Sequence, residues 1–463
     1  MFRNIVHFSA PADYRIFQQS AGFADIDVEG YLAPEEAPEQ AAAGYFVMLA
    51  LVREDDGSYV CLWERAEQRG NTFRHTFRHV PAGGLYTVLS VYTNGIRCYD
   101  DGLRGDSIHH LGVGDLYVIA GQSNAAGFAR TPAYDPVETG LHLFRTSGKW
   151  DLASSPLNDA TDSTRPVTTE FGIPGQSPFM SFARTLKRSL HYPIGLIQTA
   201  LGGSPLCAWS KEKDGQLYHN LVRTVAACGG KVKGIVWYQG CTDGFHIETA
   251  EAYYEGFAAM VSDLRADLKD PALPFLTVQL NRIVQPRMEE CDRGWATVRE
   301  AQRRAAMLPY VYLAPSSDLT MSDGIHNSAS ANVVLGQRLA ALALRHFEGL
   351  HYLADAPTVE TAVLKDRTLT LCFRDVSLYL VSLNLPVERH PFVIEDEAGV
   401  LPLLGYRAEE DRLILQTGRD AVGAVTVSAA PFAFPDPFMP IDRGTGLPIL
   451  LFDRFPVETR IEG

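Results

Sequence analysis

Hydrophobic positions fall along this chain in three textures. Up to about residue 100 they come in short runs broken by tight-turn residues. Tyr45–Val52 and Tyr59–Trp63 flank Glu54-Asp55-Asp56-Gly57, and Leu85–Tyr92 leads through Thr93-Asn94-Gly95 into Ile96–Tyr99. Asp-Gly and Asn-Gly between such runs are hairpin signals, so this part predicts an antiparallel β domain. Residues 33–43, rich in Ala, Glu and Pro, read as a surface loop or short helix.

From Asp115 the texture changes. Nearly continuous apolar runs at 115–120, 194–200, 233–239, 274–280 and 310–314 alternate with helical patterns at 177–190, 217–228, 249–268, 293–307 and 328–347. A strand apolar at every position is buried on both faces, and its alternation with helices calls for a parallel sheet covered on both sides. After His351 the β texture returns in Arg367–Phe373, Leu378–Val381 and Ala424–Ser428. The Pro-rich stretch 431–448 predicts an extended strap lying over another domain. The expected organisation is an N-terminal antiparallel β domain over 1–112, an α/β domain over 113–350 and a C-terminal β domain with its strap over 351–463.

Composition narrows the partners. At 463 residues the chain is too long for one compact core. Its 41 Lys and Arg against 55 Asp and Glu argue against a nucleic acid or an anionic membrane, both of which need a basic face. No run approaches the roughly 20 apolar residues of a membrane span. The N-terminus lacks the pattern of a secretory signal, and seven cysteines with no Cys-x-x-Cys pair suit reduced thiols. The expectation is a cytoplasmic protein; its oligomeric state is not legible.

The candidate chemistry sits at the ends of the middle-domain strands, where ligands bind in open α/β sheets. The run Asp115–Ala120 stops at Gly121 and turns into Gln122-Ser123-Asn124, which places a serine just past a buried strand with amide groups behind it. After the second strand, Gly202-Gly203-Ser204 allows close backbone approach and N–H presentation, with Trp209 following. After the third, Trp237-Tyr238-Gln239-Gly240-Cys241-Thr242-Asp243 offers the Gln239 amide as a donor to a carbonyl oxygen acquiring charge, and Trp237 reads as core. Before the last helix, Asp323-Gly324-Ile325-His326 lets one turn fold a carboxylate onto the imidazole Nδ1, leaving Nε2 free for the serine proton. Asp318 is the competing acid. There is no His-Glu-x-x-His segment, clustered Cys/His set or phosphate-binding glycine loop, so no metal or cofactor is expected.

Gly121-Gln122-Ser123-Asn124, Gly202-Gly203-Ser204 with Trp209, Trp237-Tyr238-Gln239-Gly240 and Asp323-x-x-His326 resemble the four blocks of the sialate O-acetylesterases and related carbohydrate acetylesterases of the SGNH hydrolase superfamily. Looser likeness at Pro81–Thr87 and Gly446–Phe452 extends the resemblance to roughly residues 80 to 455. It implies an SGNH-hydrolase (flavodoxin-like) three-layer α/β domain flanked by β domains. It implies Ser123 as nucleophile, His326 as base and Asp323 as its orienter, with an oxyanion hole from the Ser123 N–H, Gly202 or Gly203 N–H and the Gln239 side chain. Gln122, Asn124, Trp209 and Asp243 are the expected substrate contacts.

One position departs from the pattern: Cys241 stands where the family usually carries an acidic residue. The implied activity is that of a serine carbohydrate O-acetylesterase, sialate 9-O-acetylesterase-like, releasing acetate from an acetylated mono- or oligosaccharide through an acetyl-Ser123 intermediate, with an acetylxylan, acetylmannan or xyloglucan oligosaccharide esterase as the alternative. An anionic sialate would want a local cation, for which Arg130, Lys211 and Arg282 are placed by loop position. Neutral xylan, mannan or xyloglucan fragments would not. The rivals are an inactive carbohydrate-binding protein and a lipase or thioesterase on the same fold.

Overall fold

The computed structural model describes residues 4–460 except 34, 36–38, 41–42, 96–101, 213–214, 285–287, 383–388 and 436–437. The expected strand at Ile96–Tyr99 and part of the 33–43 segment lie outside the described residues.

One long strand, β1 (Leu103–Gly121), joins two sheets' worth of pairing. Its first half pairs antiparallel with Leu85–Thr93, which in turn pairs with Phe46–Arg53, the partner of Tyr59–Arg65 in the expected hairpin. Its second half is the centre of the parallel sheet. The residues up to 114 escaped prediction as strand because Arg104, Asp106, His109 and His110 interrupt the apolar run; along them burial varies from exposed to buried, whereas every residue from Leu111 to Gly121 is buried. The boundary expected between 112 and 113 falls inside this strand, just past a bulge at which His110 takes φ +59°.

The other parallel-sheet elements are β2 (Leu141–Phe144), β3 (Trp150–Leu152), β4 (Ile194–Gln198), β5 (Gly234–Tyr238), β6 (Phe275–Val278) and β7 (Val311–Ala314). Their order is β3-β2-β4-β1-β5-β6-β7, all parallel except β3, which returns antiparallel to β2. The β4-β1-β5-β6-β7 core is the 2-1-3-4-5 order of flavodoxin-like sheets, whose switch point lies at the first strand. The residues of β4, β5 and β6 are buried throughout, as a sheet covered on both faces requires.

Helices α1 (Phe179–Leu190), α2 (Gln216–Ala227), α3 (Tyr253–Asp267), α4 (Glu289–Ala305) and α5 (Ala329–His346) match the helical patterns to within a few residues. The pair α1 and α5 pack on each other, as do α3 and α4. Gly336 on α5 permits the first contact, since a β-carbon there would lie 2.2 Å from the Pro178 carbonyl. The short β2–β3 hairpin was not foreseen, because three or four residues carry too little periodicity to register.

Ahead of this sheet, Val6–Ala10, Phe23–Leu32, Thr72–Pro81 and Glu67–Arg69 form an antiparallel four-stranded sheet. After it, eight strands between Thr358 and Arg460 form a further sheet with its own apolar core. The stretch at 432–434 lies across the β6–α4 connection. Ile283 N–H donates to the Ala433 carbonyl at 2.9 Å, and Ala433 N–H donates to Asp292 Oδ1 at 2.8 Å. The buried Arg299 of α4 donates to the carbonyls of Leu280 at 3.1 Å and Phe432 at 2.6 Å, and also to that of Asn281.

Candidate active site

Gly121 ends β1 with φ +125°, and a β-carbon there would stand 2.3 Å from the Tyr238 carbonyl, so only glycine makes this turn. Ser123 then opens a four-residue helix, where its N–H is one of the donors that a helix start leaves without an intrahelical partner. Its Oγ lies 2.9 Å from His326 Nε2. His326 Nδ1 lies 2.8 Å from Asp323 Oδ2, while Asp323 Oδ1 accepts the N–H groups of Ile325 at 2.9 Å and His326 at 2.8 Å.

A carboxylate only accepts, so Nδ1 carries the proton and Nε2 is the acceptor facing the serine hydroxyl. Burial pushes the Asp323 carboxyl up, but the imidazole and the two amides outweigh it and hold the carboxyl below its ordinary value. Asp318 is spoken for elsewhere: both of its oxygens bond Arg338, at 2.8 and 2.6 Å.

The strand-end loops meet at this turn. Leu201 N–H donates to the Gly121 carbonyl at 3.0 Å, and Thr242 Oγ1 donates to the Gly203 carbonyl at 3.2 Å. The amides of Ser123 and Gly203 take no hydrogen bond among the described residues, and Gly203 holds φ +69° with open space around it. The Gly202 N–H is different: it donates to Glu170 Oε1 at 2.9 Å. Of the two glycine amides considered, Gly203 is therefore the one left open.

Gln239 does not supply the expected oxyanion donor. Its side chain is fully buried, and the two N–H bonds of Nε2 go to the Ser204 carbonyl at 3.1 Å and to Asp243 Oδ2. Turning the amide over would set its oxygen against two acceptors, so this orientation is forced.

The four side chains expected on the substrate are internal as well. Gln122 Oε1 accepts the N–H groups of Gly240 at 3.0 Å and Thr242 at 3.3 Å, fastening the third loop to the serine turn. Asn124 donates to the Ile325 carbonyl at 3.2 Å and accepts from Asn327 N–H at 3.1 Å, fastening the histidine loop. Trp209 is buried edge-on to Trp237, with Nε1 donating to Ser204 Oγ at 3.2 Å. Asp243 is buried under the Leu206 N–H and Gln239; burial drives its carboxyl above the ordinary value against those donors.

Three further residues of the site lacked a sequence signal strong enough to find them. Phe128 stacks on His326, ring centroids 5.4 Å apart. Asn281 donates to the Ile325 carbonyl at 3.0 Å; its position just past β6 was the available hint. Glu170 lies in a loop without periodicity. Of the cations placed by loop position, Lys211 pairs with Asp267 at 2.7 Å, Arg282 donates to the Leu319 carbonyl at 2.8 Å, and Arg130 is exposed. Cys241 is buried, which pushes its thiol up to about 12. Among the described residues no group of three His, Cys, Asp or Glu side chains is placed to hold a metal ion.

A family model described as carbohydrate esterase, sialic acid-specific acetylesterase, matches residues 113–345. A probable carbohydrate esterase of Arabidopsis thaliana is 28% identical over 255 residues, covering 50% of this chain and 91% of the relative. The sialate O-acetylesterase of Homo sapiens is 25% identical over 295 residues, 52% of this chain and 55% of that protein, so the chain matches about half the length of that relative. A carbohydrate acetylesterase from Xanthomonas citri of known crystal structure shares the fold, with a TM-score of 0.68 at 22% identity over 95% of this chain and 97% of that one.

Proposed function

The chain belongs to the sialic acid-specific acetylesterase family of carbohydrate esterases and is an ester hydrolase; from that premise we propose that it is a serine O-acetylesterase of acetylated sugars, acting through an acetyl-Ser123 intermediate. The observation that carries this reading is the Asp323–His326–Ser123 relay, with both imidazole nitrogens at hydrogen-bond distance from their partners.

His326 Nε2 takes the Ser123 proton as Oγ attacks the acetyl carbonyl carbon. The carbonyl oxygen, gaining charge, is met by the open N–H groups of Ser123 and Gly203. Asp323 stays ionised and stabilises the imidazolium. When the tetrahedral centre collapses, the bond to the sugar oxygen breaks and that oxygen takes the proton from Nε2. A water molecule then attacks the acetyl-serine, gives its proton to His326 and releases acetate, and Ser123 recovers its proton.

The intact relay favours this reading over an inactive carbohydrate-binding protein. The acyl side must accept only an acetyl group, and the names of the relatives allow sialate and other carbohydrates as the alcohol side. The test is acetate release from an aryl acetate and from acetylated sugars, with acid-quenched protein searched by mass spectrometry for an acetyl group on the Ser123 peptide. Wild-type acetate release by Ser123→Ala would end the reading.

A further inference from the structure

We propose that Glu170 is a specificity-determining residue: its outer carboxylate oxygen accepts a hydroxyl of the sugar and selects neutral acetylated sugars over anionic ones. The inference rests on the acetylesterase reading for the placement of the reacting ester.

The two oxygens of Glu170 have different surroundings. Oε1 is held from within, accepting Gly202 N–H at 2.9 Å and the side-chain amide of Asn158. Oε2 takes no hydrogen bond among the described residues, and it is not one of the buried side-chain oxygens left without a partner, so it borders accessible space.

That space belongs to the site. A β-carbon at Gly202 would lie 2.7 Å from Oε2 and 3.4 Å from the Phe128 ring, and Phe128 stacks on the His326 imidazole. Gly202 immediately precedes Gly203, whose open amide faces the developing oxyanion in the mechanism above. An ester seated on Ser123 carries only an acetyl group on one side, so its sugar fills the mouth of the site. Beside Glu170 that mouth is open: Phe171 and Ile173 are 97% and 81% exposed, and Gly172 packs against Phe128.

A carboxylate fixed by two donors at one oxygen presents the other as a strong acceptor for a hydroxyl. Toward an anionic sugar the same oxygen is repulsive, at a half-buried position where solvent screens it weakly. Burial already drives the Glu170 carboxyl above its ordinary value against the Gly202 and Asn158 donors, so a second negative charge there adds to one the site disfavours. Of the cations placed by loop position, Lys211 is paired with Asp267 and Arg282 is turned to the Leu319 carbonyl; Arg130 is exposed, and among the described residues no ion pair joins it to Glu170.

The experiment compares kcat/KM for acetylated xylobiose, a 9-O-acetylated sialic acid and p-nitrophenyl acetate in the wild type and in Glu170→Gln, which keeps an acceptor for Gly202. The wild type should prefer the neutral sugar, and Glu170→Gln should narrow the neutral-to-anionic ratio by about tenfold, chiefly through KM. Its loss on the neutral sugar should exceed its loss on the aryl ester, which has no sugar hydroxyl. A wild-type preference for the sialic acid, an unchanged ratio, or equal losses on sugar and aryl esters would overturn the proposal; equal losses would assign Glu170 to holding the Gly202 loop.

Calorimetric binding of acetylated xylobiose to Ser123→Ala, with and without Glu170→Gln, reads the same contact without turnover. It therefore stands or falls separately from the esterase reading, which is decided by the aryl ester and Ser123→Ala. Equal affinities in that pair would also overturn the proposal.

Discussion

The imidazole Nε2 of His326 lies 2.9 Å from the hydroxyl of Ser123, two side chains 203 residues apart in the chain. Asn124 makes the meeting possible from one side, bonding both the Ile325 carbonyl and the Asn327 N–H on either side of the histidine. Removing either end of the pair should abolish acetate release. Asp323→Asn should retain the fold and lower kcat by on the order of 10³–10⁴, because an amide can hold the ring in the wrong tautomer and cannot stabilise an imidazolium. Steady-state hydrolysis of an aryl acetate alongside a melting curve checks both halves of the statement.

Gln239→Ala should behave as a structural lesion. It strips Ser204 and the buried Asp243 carboxylate of a shared donor. A buried acceptor left without its partner costs about 1–3 kcal/mol. The melting temperature should fall, with any loss of kcat accompanying it. A hundredfold loss of kcat at unchanged melting temperature would return this amide to the oxyanion.

Acid should loosen the C-terminal strap through Asp442. Burial pushes this carboxyl up, but the donors Ser377 Oγ, Thr445 N–H, Leu378 N–H and Thr445 Oγ1 outweigh that and hold it at about 2. A folded value below the ordinary one means that the unfolded chain binds the proton more readily. The stabilisation is thus complete above about pH 4 and is lost as pH falls towards about 2. Calorimetry across that window should show a steeper fall in melting temperature for the wild type than for Asp442→Asn. The variant should also be the less stable of the two at neutral pH.

Thiol chemistry separates the cysteines. Cys207 is exposed, whereas Cys241 is buried with its thiol pushed up to about 12 and so is protonated at neutral pH. A thiol-disulfide reagent should label Cys207 within the native protein and reach Cys241 only on unfolding, as mass spectrometry of timed digests would show. Aryl acetate hydrolysis should survive the native labelling. Rapid inactivation traced to Cys241 would mean that this side chain is exposed to the site.

The five central strands of the parallel sheet were legible because they are nearly continuous apolar runs and the helices between them are long enough to display their period, whereas β2 and β3 were too short. The relay was legible because Asp323 and His326 are joined by one short turn, so spacing alone limits where the carboxylate can go. The oxyanion loop was legible only in outline. Sequence names Gly202 and Gly203 equally, and what separates them is Glu170, thirty-odd residues earlier in an aperiodic loop. Gln239, Gln122, Asn124, Trp209 and Asp243 were identified as residues of the site region, but a residue type does not disclose its rotamer. Polar groups expected to face a ligand turned inward to tie one loop to the next, which is where buried polar groups are required to go.

The strand Leu103–Gly121 is one member shared by two structures, with the serine turn at its far end. This beam is bent in its antiparallel half by bulges opposite Thr87 and Ser90, with His110 at φ +59°, and from Leu111 onward it is buried and held within the parallel sheet. An engineer dividing this protein into transplantable parts would do well to cut outside that beam.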